Sequence, residues 1–90
     1  MVHQSDPNTP TIVGALESVG ASVQHLGGKG VPDLLVGYLG ANYLLEVKAP
    51  NKELNGNQDK WHSKWKGQVN VVRTVADAFR VIGLDWEASQ

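Results

Sequence analysis

Three charged residues interrupt otherwise apolar runs: Asp33, Glu46 and Lys48. Asp33 follows Pro32 and leads into Leu34-Leu35-Val36, while Glu46 and Lys48 stand near the end of the next run, after Tyr43-Leu44-Leu45. Residues two apart in a strand share a face, so Glu46 and Lys48 project together and Leu45 and Val47 project the other way. A two-residue hairpin turn at Gly40-Ala41 sets Asp33 opposite Lys48 and diagonal to Glu46, within side-chain reach. Burying such charges without partners costs several kcal/mol. A Glu46–Lys48 ion pair at a strand end satisfies two of the three. The second carboxylate leaves the pocket net negative, and a bound cation stabilises it most simply.

The elements that position these groups are legible in the rest of the chain. Ninety residues with a formal net charge of -1 form one domain, residues 1–90, long enough to bury a core without disulfide or metal staples. There is no cysteine. No apolar run approaches the roughly 20 residues of a membrane span, so no membrane association is expected, and the chain reads as intracellular. The charge balance argues against coating nucleic acid through bulk charge, but leaves local phosphate contacts open. Lys52, Lys60, Lys64 and Lys66 cluster just after the hairpin, on the side of the chain where a substrate would lie.

Met1 to Pro7 reads as polar and loose. Thr9 and Pro10 read as an N-cap and the first position of a helix, whose stripe of Ile12, Val13, Leu16 and Val19 runs to Gly20. Glu17 lies beside that stripe and reads, from its position alone, as a solvated helix glutamate. Ser22 to Leu26 is a short strand, closed by the flexible Gly27-Gly28-Lys29-Gly30 loop. Those glycines permit close approach of a backbone or a phosphate, but the P-loop spacing is missing.

The hairpin strands are Pro32 to Leu39 and Tyr43 to Ala49, covered on both faces as central strands are. A second helix is expected from about Asn57 to Lys66. Gln58, Trp61, His62 and Trp65 share one of its faces, with the tryptophans in the core. Gln58 is then able to point at the same cleft as Glu46. His62 reads as a packed or rim histidine, since no second His or Cys stands at metal-ligand spacing. Val69 to Arg73 is a fourth strand, Thr74 with Asp77 forms a capping box for a last helix to Gly83, and Asp85 to Gln90 is a tail. The order is helix, three strands, helix, strand, helix, and the helical crossover before the fourth strand favours a parallel pairing.

Pro32-Asp33 and Glu46-x-Lys48 on a hairpin, preceded by a helix bearing Glu17 and followed by one bearing Gln58, resemble the PD-(D/E)XK nuclease superfamily. More narrowly, the chain resembles the VRR-NUC family, the virus-type replication-repair nucleases. Gly30-x-Pro32-Asp33-Leu34, Glu46-Val47-Lys48-Ala49-Pro50, Gln58 with Trp61, and Val71-Val72-Arg73 match that family's pattern in order, over about Thr9 to Ile82.

The resemblance implies an α/β fold: a restriction-endonuclease-like core, about residues 9–83, in which a mixed four-stranded sheet is flanked by helices in the order αβββαβα. It implies a divalent-metal-dependent endonuclease acting on DNA. Asp33 and Glu46 would be its metal carboxylates, the Val47 carbonyl a further ligand, Lys48 the catalytic lysine, Gln58 a supporting residue, and Glu17 a residue that reaches the metal through a water or through another ligand. Phosphodiester hydrolysis needs an activated water and stabilisation of developing negative charge, and a hard cation held by oxygens serves both. Magnesium or manganese suits such a site better than zinc.

Branched DNA or Holliday junctions are the candidate substrates, since no separate recognition module is present and shape is easier to read than a long sequence. A homodimer is expected, because two equal sites suit a substrate with approximate two-fold symmetry; Trp86, Tyr38, Tyr43, Trp61 and Trp65 are its candidate surface. The expected location is the cytoplasm of a bacterium or phage-infected host cell. The alternatives are a catalytically silent nucleic-acid-binding module with a nuclease fold, and a domain whose acidic pair binds a purely structural cation.

Overall fold

A computed structural model of the chain describes residues 6–84. The expected loose start (Met1 to Ser5) and the expected tail, with Trp86 in it, lie outside the described residues. Seven elements follow in order: α1 Thr9–Ser18, β1 Ser22–His25, β2 Leu34–Tyr38, β3 Ala41–Val47, α2 Gly56–Lys64, β4 Asn70–Val72 and α3 Val75–Val81. The order is αβββαβα. The four strands form one mixed sheet, β1-β2-β3-β4, with antiparallel β1–β2 and β2–β3 pairs and a parallel β3–β4 pair.

Alternation along the central strands sorts their side chains onto two faces. Leu34, Val36, Leu45, Val47 and Val72 project to one face and are buried with Ile12 and Leu16 of α1 and Phe79 of α3. Each such aliphatic side chain contributes about 1.5–3 kcal/mol through burial, and helices α1 and α3 pack against each other over this face. Asp33, Leu35, Leu44 and Glu46 take the opposite face, beneath α2. α2 buries none of its own residues fully. The tryptophans expected in the core are therefore not there. Trp61 is half-buried, Trp65 is 45% exposed, and the two indoles stack at 4.7 Å on the outer side of the sheet.

The hairpin register differs from the one read in the sequence. The turn is Leu39-Gly40, not Gly40-Ala41: Tyr38 pairs with Ala41 and Leu34 with Leu45, which brings Asp33 opposite Glu46 instead of Lys48. A shift of two residues preserves facing, so the three charged groups stay on one face although their pairing changes. Both turn residues have positive φ, +50° at Leu39 and +82° at Gly40, the backbone of a type I′ hairpin turn. Asn-Gly suits that turn and Leu-Gly does not, which is why the sequence misplaces it.

The N-terminus of α1 also departs from expectation. Its N-cap is Asn8, not Thr9, and the Asn8 side chain makes no capping bond. Instead Asn8 Nδ2 donates to the Lys48 carbonyl at 3.0 Å and the Arg73 carbonyl at 2.8 Å, tying the ends of β3 and β4 to the start of α1. At the other end of the parallel pair, the Gln68 amide accepts from Leu44 N–H at 2.7 Å and donates to Leu44 C=O at 2.8 Å, as a neighbouring strand would.

Candidate active site

Glu46 sits where β3 runs beneath α2 and has 0% of its surface exposed. A carboxylate so placed must have hydrogen-bond partners. Gln58 Nε2 donates to its Oε2 at 3.2 Å, and His62 Nε2 lies 3.3 Å from its Oε1. Burial pushes the Glu46 carboxyl up to about 8, the Asp33 carboxyl adds to this by hydrogen bonding and by charge, Lys48 opposes it, and Asp6 reinforces it. Glu46 is therefore largely protonated at neutral pH. The two carboxyl groups are joined by a hydrogen bond.

Asp33 is positioned by both ends of its residue. Its backbone carbonyl accepts from Leu26 N–H at 2.8 Å, which closes the β1–β2 segment around the glycine loop. Its side-chain Oδ2 accepts from Val47 N–H at 2.8 Å. The same residue therefore faces Glu46 and anchors the strand on which Glu46 and Lys48 stand. Lys48 is half-buried, and its N–H donates to the Val72 carbonyl at 3.0 Å, continuing the parallel pairing past the end of β3.

Gln58 is held by the start of its own helix. Asn55 is the N-cap: its Oδ1 accepts from Gln58 N–H at 2.9 Å, and Gln58 Oε1 accepts from Asn55 N–H at 2.9 Å. This capping box spends the amide oxygen on the cap, which leaves the NH2 group directed at Glu46. The helix starts at Gly56, one residue before the expected Asn57, because the Asn55–Gln58 box sets its first turn. One turn on from Gln58, His62 follows on the same face of α2. Burial lowers its pKa, against the pull of Asp59 and Asp33. His62 is thus neutral beside Glu46 at neutral pH, and it is a site neighbour where the sequence indicated only a packed or rim histidine. Its i, i+4 relation to Gln58 was the available signal.

Among the residues singled out in the sequence, the structure brings Asp33, Glu46, Val47, Lys48 and Gln58 together. Glu17 is placed elsewhere. It is exposed on α1 and lines a groove with Thr9, Pro10, Val13, Gly14 and His25. The carboxyl from the α1 end of the chain that bears on Glu46 is Asp6, in the stretch whose sequence reads as a loose start. Among the described residues no group of three or more His, Cys, Asp or Glu side chains converges as a metal cage. The donor set is the Asp33–Glu46 pair. Two carboxyl groups pressed together, one of them holding a proton only because its charge is disfavoured, fit a hard divalent cation, which would relieve the repulsion.

No known family profile matches the sequence, and no curated protein matches it. Among solved structures, a VRR_NUC domain superposes with a TM-score of 0.65 at 27% identity, over 81% of this chain and 87% of that one. The mixed sheet, the αβββαβα order and the acidic site beneath α2 define a protein with the PD-(D/E)XK nuclease fold. Within that class the chain is similar to the VRR-NUC family, whose domain it resembles over that span.

Proposed function

We propose that the protein is a divalent-metal-dependent DNA endonuclease that hydrolyses phosphodiester bonds at the Asp33–Glu46–Lys48 site. The observation that supports this most directly is the fully buried Glu46 carboxyl, raised to about 8 beside Asp33. Two adjoining carboxyls of this kind work against the fold in isolation, and perturbed carboxyl groups of this sort cluster at functional sites. Asp33 and Glu46 are the residues that would hold magnesium or manganese, with the Val47 carbonyl as a further candidate donor. Such an ion supplies Lewis-acid polarisation of the phosphoryl group and acidification of water.

The protein's own residues do the rest. Gln58 keeps one Glu46 oxygen in place through a hydrogen bond whose donor the capping box has already oriented. Asp33 holds β3 by the Val47 N–H, so that Lys48 stays on the same face as the two carboxyls. The Lys48 ammonium orients the attacking water or stabilises charge developing on the phosphoryl oxygens, and the proton passes to solvent. Water attacks phosphorus, and the strand oxygen opposite leaves.

Branched DNA, including four-way junctions, is the proposed substrate, and two copies of the chain are the proposed working unit, because one site of this kind cuts one strand. The proposed location is the cytoplasm of a bacterium or phage-infected cell. The test is one cleavage assay with magnesium, manganese or chelator across linear, flap, bubble and four-way-junction DNA. Cleavage that requires the ion and prefers a branched substrate is expected. Binding of the same DNA with no cleavage under any ion would establish the alternative, a silent binding module.

A further inference from the structure

Beside Gln58, the donor to Glu46, lies a surface that hydrolysis does not use. A hollow of about 430 Å³ opens between Leu26–Val31 and the start of α2, and Gln58, the donor to Glu46, is part of its lining. Beside it, Lys29, Asn57, Lys60, Trp61 and Lys64 line a second hollow of about 250 Å³. Lys29 and Asn57 line both, so the two hollows adjoin as one groove, which borders the site through Gln58.

The groove is assembled from two distant parts of the chain. Asn57, Lys60, Trp61 and Lys64 recur at helical spacing along one face of α2, adjacent to the face that carries Gln58 and His62. Lys29 arrives from the glycine loop. The loop lies hard against the helix: a Cβ on Gly30, which has φ +78°, would overlap the Asn57 carbonyl. The backbone beside Lys29 is thereby held against α2, and Lys29 lines the same hollow as Lys60 and Lys64. Among the described residues none of these three ammonium groups is in an ion pair, so their charge is available to a ligand. Trp61 stands between Lys60 and Lys64 in sequence and lines the same hollow, backed by the stacked Trp65.

Lysines alone would suit any phosphate backbone. An indole set among them adds nothing to the grip on a duplex, whose bases are turned inward, but it offers a stacking surface to a base that is unpaired. From this we infer that the groove binds a single-stranded segment of nucleic acid, with Lys29, Lys60 and Lys64 against successive phosphates and Trp61 against an unpaired base. That this segment adjoins the phosphate being cut rests on the hydrolytic reading above; the groove's ligand class does not.

The test is fluorescence anisotropy of the full chain in chelator, with a labelled oligothymidylate, a blunt duplex and a duplex bearing a single-stranded tail, over a range of salt. The single strand and the tailed duplex are expected to bind more tightly than the blunt duplex. Lys60→Ala with Lys64→Ala should flatten the dependence of log affinity on log salt by about 0.7 for each lysine removed, and Lys29→Ala should act in the same direction. Trp61→Ala should weaken single-strand binding about tenfold or more, with Trp61→Phe retaining most of it. In a Trp65→Phe, Trp86→Phe background, oligothymidylate should quench Trp61 fluorescence.

Equal affinity for blunt duplex, or losses no larger than those from Lys52→Ala with Lys66→Ala, overturns the inference. The two readings fail separately. Cleavage with groove variants that bind like the parent sinks the groove and leaves hydrolysis standing; groove-dependent binding with no cleavage under any ion sinks hydrolysis and leaves the groove.

Discussion

Gln58 donates to Glu46 across 3.2 Å with an amide whose oxygen is already engaged by the backbone of Asn55. One residue thereby joins the start of α2 to the candidate site, and a change there acts on both. Gln58→Ala removes the reciprocal bond of the capping box and the Glu46 donor, and is expected to cost about 1–2 kcal/mol together with most of the activity. Gln58→Glu keeps the cap, since Glu serves at that position, but puts a third carboxyl against Glu46. Near-parental stability in chelator with sharply reduced metal-dependent cleavage is expected. Thermal melts and rates measured on the two variants separate the structural share from the functional one.

Asp33→Asn, Glu46→Gln and Lys48→Ala are each expected to abolish cleavage while leaving the far-ultraviolet circular dichroism unchanged. Their effects should not add, because the residues act as one unit. A single variant that keeps a near-parental rate in magnesium removes that residue from the site. Asp33→Ala differs from Asp33→Asn in also losing the acceptor of Val47 N–H. It should be the less stable of the two by about 1–3 kcal/mol, although it relieves repulsion with Glu46.

The raised Glu46 carboxyl predicts how stability depends on pH in chelator. A carboxyl that holds its proton more tightly folded than unfolded makes the native state bind more protons, so stability is present below the unfolded value near 4.5 and is lost as pH rises through about 8. Melting temperature should therefore fall between about pH 5 and pH 8. Glu46→Gln, which keeps the shape without the titration, should flatten the slope and raise stability at pH 8 by on the order of 2 kcal/mol. Added magnesium should stabilise the parent more at pH 8 than at pH 6, because the ion competes with the shared proton. A melting temperature independent of pH in chelator contradicts the assignment.

Leu39 occupies a left-handed turn position, φ +50°, with 88% of its surface exposed. Its side chain contributes little burial there and meets the steric penalty of that backbone region. Leu39→Asn restores the residue type the turn favours and is expected to stabilise the fold by about 1 kcal/mol, roughly 4–8 °C in a domain of this size. A thermal melt checks it.

Tyr38 and Tyr43, two of the candidate dimer residues, are partly buried against the core. Trp65 and Leu35, 45% and 37% exposed on the α2 side of the sheet, remain as apolar surface. Light scattering at micromolar concentration, with and without a four-way junction, should give the mass of two chains. A monomer in both samples that nicks one strand per binding event would leave a simple nicking enzyme.

The order of elements, the apolar faces of α1 and α3, the Thr74–Asp77 capping box and the shared facing of Asp33, Glu46 and Lys48 were all written in the sequence. Each follows from local periodicity or spacing, and strand alternation survives a register error of two residues. Tertiary structure decided what no local pattern encodes. Asp33 came to face Glu46 because a Leu-Gly pair makes the turn, against its own preference. His62 and Asp6 came to bear on Glu46 through the packing of α2 and of the chain before α1. Lys29 came to line one hollow with Lys60 and Lys64 because Gly30 lets its loop touch Asn57. Such contacts join residues far apart in the chain, and the charge of the carboxyl they surround was set by burial, which no spacing of residues reveals.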